Sequence, residues 1–301
     1  MYNKNSFLLI GFVTLLLFAL TSSWYLFTRT APTDFPSGSH FVVKEDETLR
    51  SVSVRLQADH YIYSALLFRA WISTLGRDRH LKSGEYSFSE PYVLGAVVKK
   101  FVETGPDMPL ISVTIPEGSD TTFIAEAVHK VLPTISVELF KQQVLNGNAE
   151  GILFPSTYYL LPSYTEDTII KKMRETFVLK FTQLAQSYPL PQALTSQNEV
   201  VSLAAILEGE AKTQEDMRIV SGILQARLLR GMPLQVDVAK ETYRTRGLPK
   251  QPINNPGLTA LEAALYPTSS PYLYYITGKD GTMYYAKTFE EHKRNIRNYL
   301  R

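Results

Sequence analysis

Residues 201–210 read Val201-Ser202-Leu203-Ala204-Ala205-Ile206-Leu207-Glu208-Gly209-Glu210. A run this apolar, closed by two carboxylates, predicts a helix buried along most of its length. Ser196 with Glu199 upstream is a capping-box signature and sets the start near Gln197. The helix is expected to end near Ala211. On it, Glu208 shares a face with Val201, Ala204 and Ala205. Glu210 lies about 200° further round, so the two carboxylates point apart.

Working outward, Glu166–Gln186 predicts a long amphipathic helix. Thr213 with Asp216 starts another, which ends at Gly231 with Arg227 and Arg230 in its last turn. Tyr272–Thr277 and Thr282–Lys287 read as strands joined by Gly278-Lys279-Asp280-Gly281. Thr288 and Glu291 make a further capping box for a C-terminal helix. Toward the N-terminus, strands are expected at Phe41–Val43, Gly84–Phe88 and Ile111–Ile115. Helices are expected from Thr48, with Leu49, Val52 and Leu56 on one face, and over Ile62–Leu75, Val93–Thr104 and Thr122–Val131. Glu150–Tyr159 reads as a loop leading into a strand. The fold class is α+β, with short strands and helices interleaved.

Phe7–Phe27 carries no charge. As a helix it reaches about 31 Å, enough to cross a hydrocarbon core. A cleaved signal peptide is the competing reading, but its apolar region is usually shorter and no small-x-small cleavage site follows. The expected organisation is a short cytoplasmic tail (1–6), a single transmembrane helix (7–27), a Pro/Ser/Gly-rich linker (28–39), a small module (40–110) and a larger domain (111–301). Lys4 favours a cytoplasmic N-terminus, which places the rest outside the cell membrane.

The chain has 301 residues, with 31 Lys and Arg against 29 Asp and Glu. That balance points away from a nucleic-acid partner. There is no cysteine, which excludes disulfides, thiol catalysis and Cys-based zinc sites. The five histidines show no metal-ligand spacing. No phosphate loop, G-x-S-x-G or H-E-x-x-H motif occurs, and no cofactor is expected.

Glu208 is the most informative titratable residue. A carboxyl among apolar neighbours is desolvated, which suits it to donate a proton. The plainer alternative is that it marks where a buried helix surfaces. Gln235 and Asp237, in Met232-Pro233-Leu234-Gln235-Val236-Asp237, share one face of an extended segment. They can hold a sugar hydroxyl or orient an acid, or they are an ordinary strand edge. Asn255, in Asn254-Asn255-Pro256-Gly257, either offers a ligand a donor and an acceptor or stabilises its own turn. His292 on the last helix has the same two readings, ligand contact or structural group.

At these residues the chain resembles the YceG-like endolytic murein transglycosylases (MltG). The resemblance runs from about Phe41 to the C-terminus. It is carried by Val113-Thr-Ile-Pro-Glu-Gly118, Glu150-Gly-Ile-Leu-Phe-Pro155, Ala204–Glu210, Gly231–Asp237, Gly247-Leu-Pro249, Ile253–Gly257, Ala263-Ala-Leu265, Tyr272-Leu-Tyr-Tyr275 and His292. It implies a LysM-like module in residues 40–110 and a catalytic domain in 111–301. Glu208 matches the catalytic glutamate, and Gln235, Asp237 and Asn255 fall in matching motifs as substrate-binding residues. The implied reaction cleaves the β-1,4 bond after N-acetylmuramic acid within peptidoglycan strands and leaves a 1,6-anhydro end. A glycosidase that uses water needs two carboxylates. Here the sugar's own C6 hydroxyl attacks, so one glutamate suffices. The implied partners are glycan strands, the cell membrane and peptidoglycan synthases.

Three departures from the family pattern stand out. The family continues Pro-Thr and a longer loop after Asp237, whereas here Val238-Ala-Lys240 runs straight into Glu241-Thr-Tyr243. Lys250-Gln251 replaces a favoured Pro-Gly. The Lys and Thr usual after the catalytic Glu are missing. The shortened segment supports a second reading, a catalytically impaired glycan-binding scaffold. A conventional hydrolase would need a second acid beside Glu208, for which Asp237 is the candidate.

Overall fold

The computed structural model describes Leu15, Tyr25 and residues 28–76 and 81–300. The expected membrane span therefore lies, but for two positions, outside the described residues. No helix among the described residues is long and apolar enough to cross a membrane. The architecture is mixed α and β, and the chain divides into two compact units.

The first unit comprises residues 1–111 and 159–162. Its order is β1 (Ser39–Val43), α1 (Leu49–Ala58), α2 (Ala65–Thr74), β2 (Gly84–Phe88), α3 (Leu94–Lys99) and β3 (Met108–Pro109). The strands form one antiparallel sheet in the order β1-β2-β3, with Phe41 opposite Tyr86. Helix α2 starts three residues later than Ile62 because Ser64 caps it, accepting from the Leu67 N–H at 3.4 Å. Beyond Lys99 the helix widens into a π turn, Lys100–Thr104. It closes with the Gly105 N–H donating to Lys100 O at 2.9 Å. Gly105 has φ 82°, a conformation glycine adopts without strain. The core is aromatic: Phe101 stacks on Tyr86 at 4.2 Å and meets the edge of Phe68 at 5.7 Å.

The second unit comprises residues 112–158 and 163–301. The order from β3 onward is β4 (Ile111–Thr114), α4 (Thr121–Val131), α5 (Val137–Asn146), β5 (Thr157–Leu160), α6 (Glu166–Ser187), α7 (Gln197–Glu210), α8 (Gln214–Leu229), a 3-10 segment at Asp237–Tyr243, α9 (Leu258–Leu265), β6 (Tyr274–Thr277), β7 (Met283–Ala286) and α10 (Phe289–Tyr299). Helix α7 is the centre of its core. Val200–Leu207 are all buried, Ser202 included, because α8 and α9 pack against it. The Thr288 capping box forms reciprocally. At Ser196 only half of it forms. The Ser196 hydroxyl accepts from the Glu199 N–H, but the Glu199 carboxylate turns back to the Thr195 N–H at 2.5 Å.

Helices α5 and α9 are not expected from the sequence. In α5 only Phe140 and Val144 are buried, so its apolar stripe is faint. Helix α9 is a short run of Ala and Leu whose burial is decided by α7 and α8.

Phe101 is 1% exposed and touches four other rings. We expect Phe101→Ala to destabilise the first unit by about 3–5 kcal/mol. Urea unfolding followed by a probe in that unit measures this, and a loss under 1 kcal/mol, roughly that of an exposed site, would contradict the packing described.

Candidate functional site

Glu208 stands on the last turn of α7, half-buried. Two turns of chain frame it. One is Pro116-Glu117-Gly118 after β4, and the other is Asn254-Asn255-Pro256-Gly257 before α9. The Gly257 N–H donates to Glu208 Oε2 at 2.9 Å. On the other side Gly118 lies against the side chain: a Cβ there would meet Glu208 Cγ at 3.2 Å. Gly257 is packed closely too. A Cβ on it would come within 1.9 Å of Glu117 Oε1, so the Glu117 carboxylate covers the same backbone that binds Glu208.

The two turns are tied by Asn255, which is fully buried. Its Nδ2 donates to Ser119 O at 3.0 Å and to Glu150 Oε1 at 3.1 Å. Its Oδ1 accepts from the Leu153 N–H at 2.7 Å. A backbone bridge adds two bonds, Gly118 N–H to Asn255 O at 2.9 Å and Asn255 N–H to Ser119 O at 3.0 Å. Asn254 Nδ2 donates to Ala205 O at 3.0 Å and so fastens the turn to α7. Asn255 is thus wholly engaged by protein atoms and has no face left for a sugar. Its expected place among substrate contacts becomes a place behind the site.

Burial raises the Glu208 carboxyl above its ordinary value. The Gly257 N–H opposes the rise and the nearby Glu117 charge adds to it. The second carboxylate acting on Glu208 is therefore Glu117, not Asp237. The signal for Glu117 in the sequence is the Pro116-Glu117-Gly118 turn, one of the segments that carry the resemblance.

Asp237 belongs to a different cavity, of about 410 Å³, on the opposite side of α7's end. Glu210, Gln235, Asp237, Tyr243, Tyr274 and His292 are among its lining residues. The Tyr275 hydroxyl donates to Glu210 Oε2 at 3.2 Å, and the Tyr243 hydroxyl donates to Asp237 Oδ1 at 2.8 Å. Burial raises the Glu210 carboxyl, and the Asp237 charge raises it further. Backbone N–H groups of Val238 and Asp237 and the Tyr275 hydroxyl favour its charged form, yet Oε1 has no hydrogen bond of full geometry. His292 stacks on Tyr274 at 5.3 Å. Burial, and then the Arg227 charge, lower its pKa, which favours the neutral ring; its buried Nδ1 has no hydrogen-bond partner among the described residues.

Leu234 and Val236 are buried while Gln235 and Asp237 are exposed, the alternation expected of an extended segment. The backbone is not extended throughout, however. Gln235 has φ 51° and Asp237 begins a 3-10 turn. Strain at a non-glycine residue lining a cavity is a feature of functional sites. The buried Thr242 hydroxyl holds this bend by accepting from the Val236 N–H at 3.0 Å.

The YceG-like family model matches residues 41–240 and 241–298. The chain belongs to the YceG-like family. It is similar to an endolytic murein transglycosylase of Streptococcus pneumoniae strain R6, with 26% identity over 92% of this chain and 61% of that one. It thus spans 61% of the length of that relative. It is also similar to an endolytic murein transglycosylase of Bacillus subtilis strain 168, with 24% identity over 90% of this chain and 85% of that one. A crystal structure of a yceG-like protein from Listeria monocytogenes shares the fold, with a TM-score of 0.53 and 23% identity over 85% of this chain and 98% of that one. The two pieces of the family match meet between Lys240 and Glu241, inside the compact turn after Asp237.

Three carboxyls in this unit, Glu150, Glu208 and Glu210, are raised above 4.5, first of all by burial. Each binds a proton more tightly folded than unfolded. Their contribution to stability is full below pH 4.5 and is lost as the pH rises through their raised values. Glu47 and Asp107 act oppositely. Despite burial, hydrogen bonds from Arg55 and Lys44 and from Ser87 and Lys100 hold them low, so their contribution is lost as pH falls. We expect urea midpoints to fall on the alkaline side of pH 4.5 and the slope to flatten in Glu150→Gln. An unchanged slope in that variant would contradict the assignment.

Proposed function

We propose that this chain is an endolytic murein transglycosylase that uses Glu208 as its only proton-transfer group. The half-buried carboxyl, raised by burial and held by one backbone N–H, carries the reading. A group that must begin the reaction protonated needs such a setting. The protonated Glu208 gives its proton to the glycosidic oxygen between N-acetylmuramic acid and N-acetylglucosamine. The C1–O bond breaks and positive charge grows at C1. The C6 hydroxyl of the same muramic acid closes on C1 and returns its proton to Glu208. No water is consumed, and the product end is 1,6-anhydro.

Around this acid the other residues take distinct roles. Glu117 disfavours the ionised form of Glu208 and stabilises charge growing at C1. Asn255 acts through position, keeping Gly257 N–H on the carboxyl. Gln235 and Asp237 hold sugar hydroxyls in the cavity they line with Tyr243 and Tyr274, with Tyr274 as a stacking surface. The first unit, whose chain order is strand, helix, helix, strand, serves as a LysM-like glycan contact. Phe7–Phe27 anchors the chain in the cell membrane, with both units on the extracytoplasmic side and within reach of peptidoglycan synthases.

The compact turn after Asp237 favours a second reading, a glycan-binding scaffold with impaired catalysis. The half-buried setting of Glu208 weighs against it, since an acid retired from chemistry has no reason to stay desolvated.

Purified peptidoglycan incubated with the full chain and with Glu208→Gln decides between the readings. We expect anhydro-muramyl products from the parent and a loss on the order of 10²–10⁴-fold in the variant. Reducing-end products would mean attack by water, and no product from a folded parent that still binds glycan would establish the scaffold. With Glu117→Gln, the alkaline limb of the activity profile should move to lower pH, because the Glu208 carboxyl falls when its repelling neighbour is neutral.

A further inference from the structure

A second cavity, of about 530 Å³, opens beside Glu150, between the start of α4, the C-terminal half of α5 and the segment Lys250–Pro252. Its lining differs in kind from that of the Glu210 cavity. It has no aromatic residue and so offers a sugar ring nothing to stack on. Instead it presents two ammonium groups, Lys141 and Lys250, with the side-chain amides of Asn148, Asn198 and Gln251. Both lysines are exposed, and neither makes an ion pair among the described residues. The one carboxyl in the lining, Glu150, faces inward. Its Oε2 accepts from the Thr121 hydroxyl and its Oε1 from Asn255 Nδ2, and it makes no ion pair with either lysine.

Ammonium groups ringed by amides suit a ligand that carries carboxylates on a peptide backbone. The volume lies within the range of pockets that hold a short peptide or a small molecule. We propose that this cavity binds a carboxylate-bearing peptide, the branch attached to muramic acid in murein; the proposal rests on the murein reading above. Position supports it. Glu150 is bonded to Asn255, and the turn of Asn255 carries the Gly257 N–H that holds Glu208. The sugar whose bond Glu208 would break is the one that bears the peptide, so acid and peptide cavity must be neighbours.

The test uses the full chain with Glu208→Gln, so that ligands survive. Calorimetry measures binding of GlcNAc-MurNAc-tetrapeptide, of the same disaccharide without peptide, and of the free tetrapeptide. The Lys141→Gln/Lys250→Gln pair changes only exposed side chains. We expect it to weaken the two peptide-bearing ligands roughly tenfold and leave the bare disaccharide unchanged, with the difference shrinking in high salt. Equal weakening of all three ligands, no weakening, or no binding of either peptide-bearing ligand to the parent would overturn the proposal. A chain that yields anhydro products but fails this comparison loses the peptide site and keeps the proposed function. One that binds the tetrapeptide through both lysines but yields no anhydro product keeps the site and loses the lytic reading.

Discussion

The geometry around Glu208 depends on one buried amide. Asn255 bonds to Ser119, 136 residues before it, and to Leu153, 102 residues before it. It also takes up one oxygen of Glu150. Without the amide the buried Leu153 N–H would lose its partner, at a cost of about 1–3 kcal/mol, whereas Ser119 O also accepts from the Asn255 backbone N–H. The amide can satisfy all three only if the turns at 116–119 and 254–257 and the loop at 150–153 meet at one point. That meeting sets Gly257 beneath the Glu208 carboxyl and brings Glu117 over it. The acid is placed by backbone, which does not rotate away as a side-chain partner would.

Two carboxyls two residues apart on one helix end up in unlike surroundings. Glu208 faces backbone and a neighbouring carboxylate, whereas Glu210 faces tyrosines and a bent segment. Gly209 lies between them, where the 3-10 segment approaches the helix. A Cβ there would approach Val238 Cγ1 to 2.7 Å, so the missing side chain lets Val238 seat itself against the helix. Glycine near a helix end costs up to about 1 kcal/mol. The close approach of the 3-10 segment is what that cost makes possible.

Much of the fold was legible in local chemistry. The strand at Gly84–Phe88 and the hairpin around Gly278–Gly281 follow from alternation and turn residues. The helices capped by Ser196, Thr213 and Thr288 follow from polar side chains that accept orphan N–H groups. Helices α5 and α9 were not legible, because neither has a strong apolar stripe of its own. At the site, Glu208 stood out because a charge at the end of an apolar run is costly unless it is used. Glu117 did not stand out, since one exposed glutamate in a Pro-Glu-Gly turn resembles any other. Asp237, the candidate second acid only for a conventional hydrolase, lines the cavity of Glu210.

The sequence by itself determined the α+β class, the order of most elements and the acid worth attention, because caps, turns and periodicity act within a few residues. Only the tertiary structure decided which groups stand beside that acid. The Gly257 N–H, the Glu117 carboxylate and the buried Asn255 come from segments far apart in the chain. A pKa responds to distance in space and to the water excluded there, and neither is written in residue spacing.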